Sequence, residues 1–309
     1  LDAKSNRLIR LLAQNGLESE VAAFLIDREA RSLSPRTLEY YREQLGSWLR
    51  WMAARDITEI GHLTAASLRE WLLHLAQAHR PAGVDASYRA MRAFLHWCWE
   101  ENDLPGCSPL AKVRPPKVPD DLLEPLDMAV LKALLATCDR DSFAGCRDKA
   151  MLLGLLDTGC RASEFVALDI GDVDLNTGSV LVRLGKGGKT RSTFLGSTCK
   201  RELVRYLRYH PSPEPNSPLW IANTGARLTY EGLRMVLRRR SARASVAEPT
   251  LHSFRRAFAL LSLRNGADIY SLQRLMGHTD LAMLRRYLKQ TDEDLEEAHQ
   301  RAGPVDNAL

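Results

Sequence analysis

Two histidines, an arginine and a tyrosine near the end of the chain carry the chemistry. His252-Ser253-Phe254-Arg255 is followed by Gly277-His278-Thr279 and then by Tyr287. His252 and Arg255 are three residues apart and share a face if their segment is helical. His278 and Tyr287 are nine apart, about two and a half helical turns. One straight helix sets them on opposite sides, so they converge only if the chain bends or Tyr287 sits on a separate element. These groups suit a phosphodiester. Arginine and histidine donors stabilise charge growing on phosphate oxygens, and a tyrosine hydroxyl can attack phosphorus and hold the phosphate as an ester. Each residue alone has a plainer reading, a core or surface tyrosine and an arginine paired with a carboxylate, so the case rests on partners elsewhere.

Candidate partners exist. Asp157-Thr158-Gly159-Cys160-Arg161-Ala162-Ser163-Glu164 places a helix-ending glycine before Arg161, with Glu164 one turn into the next helix. This reads equally as a fixed anion clamp and as a structural Arg–Glu pair. Further on the period falls to two: Ser179–Leu184 and Thr190–Leu195 read as strands joined by Gly185-Lys186-Gly187-Gly188-Lys189. By itself that tip is a solvated basic turn; as a proton donor, Lys186 would have to be pressed against a phosphate and shielded from water. Between residues 227 and 256, Arg227, Arg234, Arg238, Arg239, Arg240, Arg243, Arg255 and Arg256 face only Glu231 and Glu248. The planar arginine fork suits phosphates and guanine edges, so a helix over about 229–243 is expected to lie on nucleic acid.

The elements that position these residues fall into two regions, as 309 residues lead one to expect. Residues 1–108 read as a small all-helical bundle of four to five helices. One-sided stripes run through Leu38, Tyr41, Leu45, Trp48, Leu49 and Met52, then Leu68, Trp71, Leu72 and Leu75, then Met91, Leu95 and Cys98. A further short helix is expected at about 6–14, without an assigned role. Arg89 and Arg92 fall on the outer side of the last bundle helix; alone, they read as a solvated face. Residues 109–125 read as an extended basic linker, because six prolines crowd into 105–125 beside Lys112, Arg114 and Lys117. Residues 126–309 read as a mixed, mostly helical domain with a small antiparallel hairpin. The acidic run Asp292, Glu293, Asp294, Glu296 and Glu297 suits packing on another subunit rather than on DNA.

Composition narrows the class. The net charge of +5 is mild, so it points to an anionic partner only where it is clustered. No apolar run reaches the ~18 residues of a membrane helix, and no secretory leader opens the chain. The six cysteines form no CxxC pair, which argues against a zinc site and for free thiols in a reducing cytoplasm.

Taken in order, Thr-Gly-x-Arg-x-x-Glu, Gly-Lys-Gly-x-Lys, His-x-x-Arg, Gly-His and a tyrosine nine residues later resemble the tyrosine recombinase family, in particular its Xer-type members and the simple phage or transposon integrases. The resemblance runs from about residue 18 to 300. It implies that Tyr287 is the nucleophile, leaving a 3′-phosphotyrosine and a free 5′-hydroxyl. Arg161 and Arg255 would grip the non-bridging oxygens, His278 would donate to the same phosphate, and His252 would move the tyrosine proton. Lys186 would protonate the leaving oxygen, and Glu164 would orient the basic groups. Lys189, Arg191, Arg227, Arg234, Arg238, Arg239, Arg240 and Arg243 are then expected to contact DNA, with Arg89, Arg92, Lys112, Arg114 and Lys117 from the first region. Arginine, histidine and lysine together do the work of a metal, so no metal or cofactor is expected.

The expected partner is a double-stranded crossover site, held by a tetramer that exchanges C-terminal segments, with an accessory protein or partner recombinase possible. The expected location is the cytoplasm, on the nucleoid. Two positions depart from the family pattern: Arg256 stands where a second histidine is common, and Phe254 where leucine is common. With about seventeen residues before the first clear bundle helix, a separate arm-binding domain is not expected. A relaxing enzyme of the type IB topoisomerase kind, or a DNA-binding protein without catalysis, are the alternative readings.

Overall fold

A computed structural model describes residues 16–101, 104–119, 125–183 and 190–277, together with 296, 299, 300, 303 and 305. The fold is mostly helical with one small antiparallel hairpin, as expected. The chain divides into two units, Leu1–Asp121 and Leu122–Leu309.

The first unit holds four described helices: α1 (Leu17–Ala30), α2 (Pro35–Ala53), α3 (Ala65–Ala78) and α4 (Pro81–Glu101). Their starts are chemically marked. Ser34 Oγ accepts the Thr37 amide at 3.2 Å with Pro35 at the first helical position. Thr64 and Ser67 cap each other's amides at the head of α3. The fourth helix begins at Pro81, a residue well suited to an opening turn. The apolar stripes converge on a core in which Phe24 meets Tyr41, Phe94 and Trp97 edge to face at 5.1–5.6 Å between centroids.

The proline-rich stretch starts against the first unit. Pro109–Lys112 forms a 3-10 turn whose Leu110 and Val113 side chains are buried in the first unit. Tyr88 donates to the Val113 carbonyl at 3.2 Å and Arg69 to that of Lys112 at 2.7 Å. Two apolar residues among the prolines are enough to pull this part of the chain down onto the bundle.

The second unit is built around α6 (Phe143–Thr158), which follows α5 (Met128–Ala136). Both sides of α6 are covered: Ala150, Met151, Leu152 and Leu155 are all buried. The short helix α7 (Ala162–Val166) follows. Next comes the hairpin of β1 (Ser179–Val182) and β2 (Arg191–Phe194), whose register pairs Ser179 with Phe194 and Val182 with Arg191. Then come α8 (Ser197–Leu207), α9 (Tyr230–Ala244), α10 (Leu251–Arg264) and α11 (Ile269–Met276). Helix α6 packs on both α8 and α10. The short helix expected at about 6–14 and most of the acidic run after Tyr287 lie outside the described residues.

Candidate active site

The site begins where α6 stops. Gly159 takes the left-handed conformation at φ 57°, and a Cβ there would run into the Phe258 ring. The turn delivers Arg161 to the head of α7. Arg161 donates its backbone amide to Glu164 Oε2 at 2.9 Å and its Nη1 to Oε1 at 2.8 Å. Of the two readings open for this pair, a clamp or a structural ion pair, the geometry combines both. The carboxylate is buried, while 39% of the Arg161 side chain stays exposed beside it.

A second arginine reaches the same carboxylate. Arg191, at the start of β2, donates Nη2 to Glu164 Oε2 at 2.6 Å and Nε to the Leu275 carbonyl at 2.9 Å. The neighbouring carbonyl of Met276 accepts Arg255 Nη2 at 2.7 Å, and Arg255 Nη1 binds the Gly159 carbonyl at 2.6 Å. Two guanidiniums thus hold the last carbonyls of α11, which Gly277 closes in the left-handed conformation at φ 65°. Arg255 itself is 1% exposed, so both of its terminal nitrogens are spent on backbone at the floor of the site.

Two guanidiniums, Arg161 and Arg191, hold one carboxylate, and Arg255 is fastened close by to the Gly159 and Met276 carbonyls, which leaves an excess of positive charge suited to a phosphate. Burial pushes the Glu164 carboxyl up, but the hydrogen bonds from Arg191 and Arg161 outweigh it and hold the group below the usual carboxylate range. His252 lies in the first turn of α10. Its ring reaches solvent, yet partial burial, followed by the charges of Arg256, Arg255 and Arg161, pushes its pKa down to about 4. The imidazole is therefore neutral near pH 7.

Of the seven expected catalytic residues, Arg161, Glu164, His252 and Arg255 come together here. Lys186, His278 and Tyr287 lie outside the described residues, as does Lys189. Among the described residues, no group of three or more His, Cys, Asp or Glu is placed to hold a metal ion. All six cysteines are free thiols.

The expected DNA contacts sort into two kinds. Arg234, Arg238, Arg239 and Arg243 on α9 are exposed, as are Arg89, Arg92, Lys112, Arg114 and Lys117 in the first unit. Arg234 pairs with Glu231 at 3.1 Å and Arg89 with Asp85 at 2.9 Å. Three others are engaged by the protein itself. Arg240 is buried, binding Asp148 Oδ2 through Nε at 2.9 Å and Nη2 at 2.7 Å, while Arg147 takes the other oxygen of the same carboxylate. Arg227 caps the end of α7, donating Nη1 to the carbonyls of Val166, Ala167 and Leu168 and Nη2 to Asp169. Arg191 belongs to the site described above. Counting charges along residues 227–256 missed Asp148 and Asp169, which face these arginines from distant parts of the chain. For Arg191 a signal was present: in a strand it shares a face with Thr193, which is buried and donates to the Thr158 carbonyl at 2.9 Å.

Comparison with known proteins gives this site its setting. Residues 124–294 match the phage integrase family and residues 23–102 match its N-terminal SAM-like domain. A tyrosine recombinase XerD of Ralstonia nicotianae is 32% identical over 288 residues, covering 88% of this chain and 89% of the relative. Two solved structures share the fold. The XerH site-specific recombinase bound to palindromic difH substrate superposes with a TM-score of 0.72 at 20% identity, over 98% of this chain and 89% of that one. A lambda integrase tetramer bound to a Holliday junction gives 0.73 at 15% identity, over 88% and 77%. The Arg161–Glu164 corner and the His252–Arg255 turn both fall inside the matched span, and the chain belongs to the phage integrase family of tyrosine recombinases.

Proposed function

We propose that the chain is a site-specific DNA recombinase that breaks and rejoins strands through Tyr287. The tyrosine oxygen forms a bond to phosphorus and the bond to the 5′-oxygen breaks, leaving a 3′-phosphotyrosine. The tyrosine proton passes to neutral His252, and Lys186 supplies a proton to the departing 5′-oxygen. Arg161 binds the non-bridging oxygens directly, because its fork is the one that reaches solvent. Arg255 adds charge from the floor of the site, and His278 donates to the same phosphate. Rejoining is the reverse attack by a free 5′-hydroxyl. The bond energy stays in the phosphotyrosine, so no nucleotide is consumed.

The observation that carries this reading is the corner at Arg161: an exposed arginine braced by a buried, ionised carboxylate beside a histidine kept neutral. The partner is duplex DNA, in line with the XerH neighbour bound to its palindromic difH substrate, and the working assembly is a tetramer on paired sites, in line with the lambda integrase neighbour, a tetramer bound to a Holliday junction. Residues 292–302 make the contact between subunits, and the protein works in the cytoplasm on the nucleoid.

Covalent trapping tests the reading. The protein is incubated with nicked duplexes drawn from DNA flanking its gene, in EDTA, and denatured with SDS. An adduct on the 3′ side of the break that is absent in Tyr287→Phe is the expected result. An adduct that persists in Tyr287→Phe, or that sits on the 5′ side, overturns it. Relaxation of plasmids without any preferred sequence would instead favour the topoisomerase-like alternative.

A further inference from the structure

Arg191 joins two parts of the site that are far apart in sequence. Its Nη2 meets Glu164 Oε2 at 2.6 Å, and its Nε meets the Leu275 carbonyl at 2.9 Å. On one side, the same carboxylate holds the amide and the Nη1 of Arg161. On the other, the Leu275 carbonyl ends α11 next to Met276, whose carbonyl holds Arg255. Gly277 lies against the arginine so closely that an added Cβ would sit 2.8 Å from Arg191 Cδ. The side chain is 9% exposed, and its Nε and Nη2 are given to protein acceptors, which leaves little of it to touch a phosphate.

We infer that Arg191 is a positioning residue, a strut that fixes the Arg161–Glu164 corner against the end of α11. A planar fork is needed for this, because two acceptors far apart in sequence are met by separate nitrogens of one guanidinium. A lysine keeps the charge but presents a single point and cannot reproduce the geometry. Supporting groups of this sort are worth about 10–100-fold in activity when they orient a reactive centre, and a displacement of about 1 Å costs on the order of 100-fold. The inference rests on the proposed function for its kinetic consequence, while the strut itself is a matter of contacts within the fold.

The test uses the full chain carrying Arg191→Lys or Arg191→Met. Three quantities are read: the salt dependence of DNA binding, the rate of adduct formation on the trapping duplex, and the same rate on a duplex with a 5′-bridging sulfur, whose leaving group needs no proton. The strut predicts that both variants slow adduct formation by about 10–100-fold, lysine included, with binding and its salt slope unchanged and no recovery on the sulfur substrate. A salt slope lower by about 0.9 would mean that Arg191 contacts a phosphate. Recovery on the sulfur substrate would mean that it serves the leaving-group acid. Full activity in Arg191→Lys would mean that only its charge matters. Any of these results overturns the inference.

A second measurement does not depend on catalysis. The Glu164 carboxyl is titrated by carbon NMR in the unmodified protein and in Arg191→Met. Its midpoint is expected to rise in the variant, because a major donor to the carboxylate is gone. An unmoved midpoint overturns the strut even if activity falls. Absence of any Tyr287-dependent adduct in the unmodified protein counts against the proposed function alone, and the Glu164 titration still decides the strut.

Discussion

His252 owes its neutrality to where α10 begins. Burial disfavours the imidazolium first, and the next largest cause is the charge of Arg256, where a second histidine was expected. The charge of Arg256 thus helps to hold the His252 pKa down. Replacing Arg256 with Gln should raise the His252 midpoint from about 4 toward the ordinary value, read by proton NMR of the ring. A midpoint that stays put would show that burial alone sets it. The sign for stability follows from linkage. Between about pH 4 and about 6.5 the unfolded chain protonates this histidine and the folded chain does not, so stability falls as pH drops through that window. Glu164 acts in the same direction: its depressed folded-state pKa gives a contribution that is present above the unfolded value and lost as pH falls through the folded one. Thermal midpoints should therefore decline from pH 7 to pH 4.5, and less steeply in Arg256→Gln. Equal slopes for the two proteins would remove His252 from the account.

At the scale of elements, α9 shows what a charge pattern can and cannot tell. The helix was legible over about 229–243, and the structure adds its cap: the Thr229 hydroxyl accepts the Gly232 amide at 3.0 Å. The separate fates of Arg239 and Arg240 were not. Arg240 faces inward because Asp148, 92 residues earlier, waits on α6 with Arg147 already on its other oxygen. Breaking a buried pair from one side leaves a charge without its partner. Arg240→Ala should accordingly cost about 3–5 kcal/mol in denaturant unfolding. Arg239→Gln should leave unfolding unchanged and, where it touches a phosphate, lower the salt slope of DNA binding by about 0.9. Similar stability losses in both variants would contradict the sorting. The end of α6 was legible for a simpler reason, since glycine tolerates the left-handed turn that other residues pay about 1–2 kcal/mol to enter. At Gly159 the Phe258 ring adds a steric term, so Gly159→Ala should lose at least that much stability.

At the scale of the whole molecule, two large hydrophobic cores stand out among the described residues. The first gathers Phe24, Trp48, Met52, Leu68, Phe94 and Leu95; the second gathers Leu134, Met151, Phe165, Tyr206, Trp220 and Phe254. The dense prolines announced the change of region, but not that Leu110 and Val113 fasten the start of that stretch to the first core, because isolated apolar residues among prolines carry no periodic signal. Cores of this kind are what let a region fold by itself. Fragments 16–119 and 125–309 should each unfold in a single cooperative step when made separately. Their DNA binding should differ from that of the intact chain for a reason unrelated to any new contact. Tethering makes the second contact intramolecular, at an effective concentration that can raise affinity by about 10²–10⁴-fold. The intact protein should therefore bind its site at least 100-fold more tightly than either fragment, roughly the lower end of that range, and an untethered mixture at micromolar concentration should not recover the difference. If fragment 125–309 alone binds as tightly as the whole, the exposed cations Arg89, Arg92, Lys112 and Arg114 are a solvated face, and the first unit must act by some means other than holding DNA.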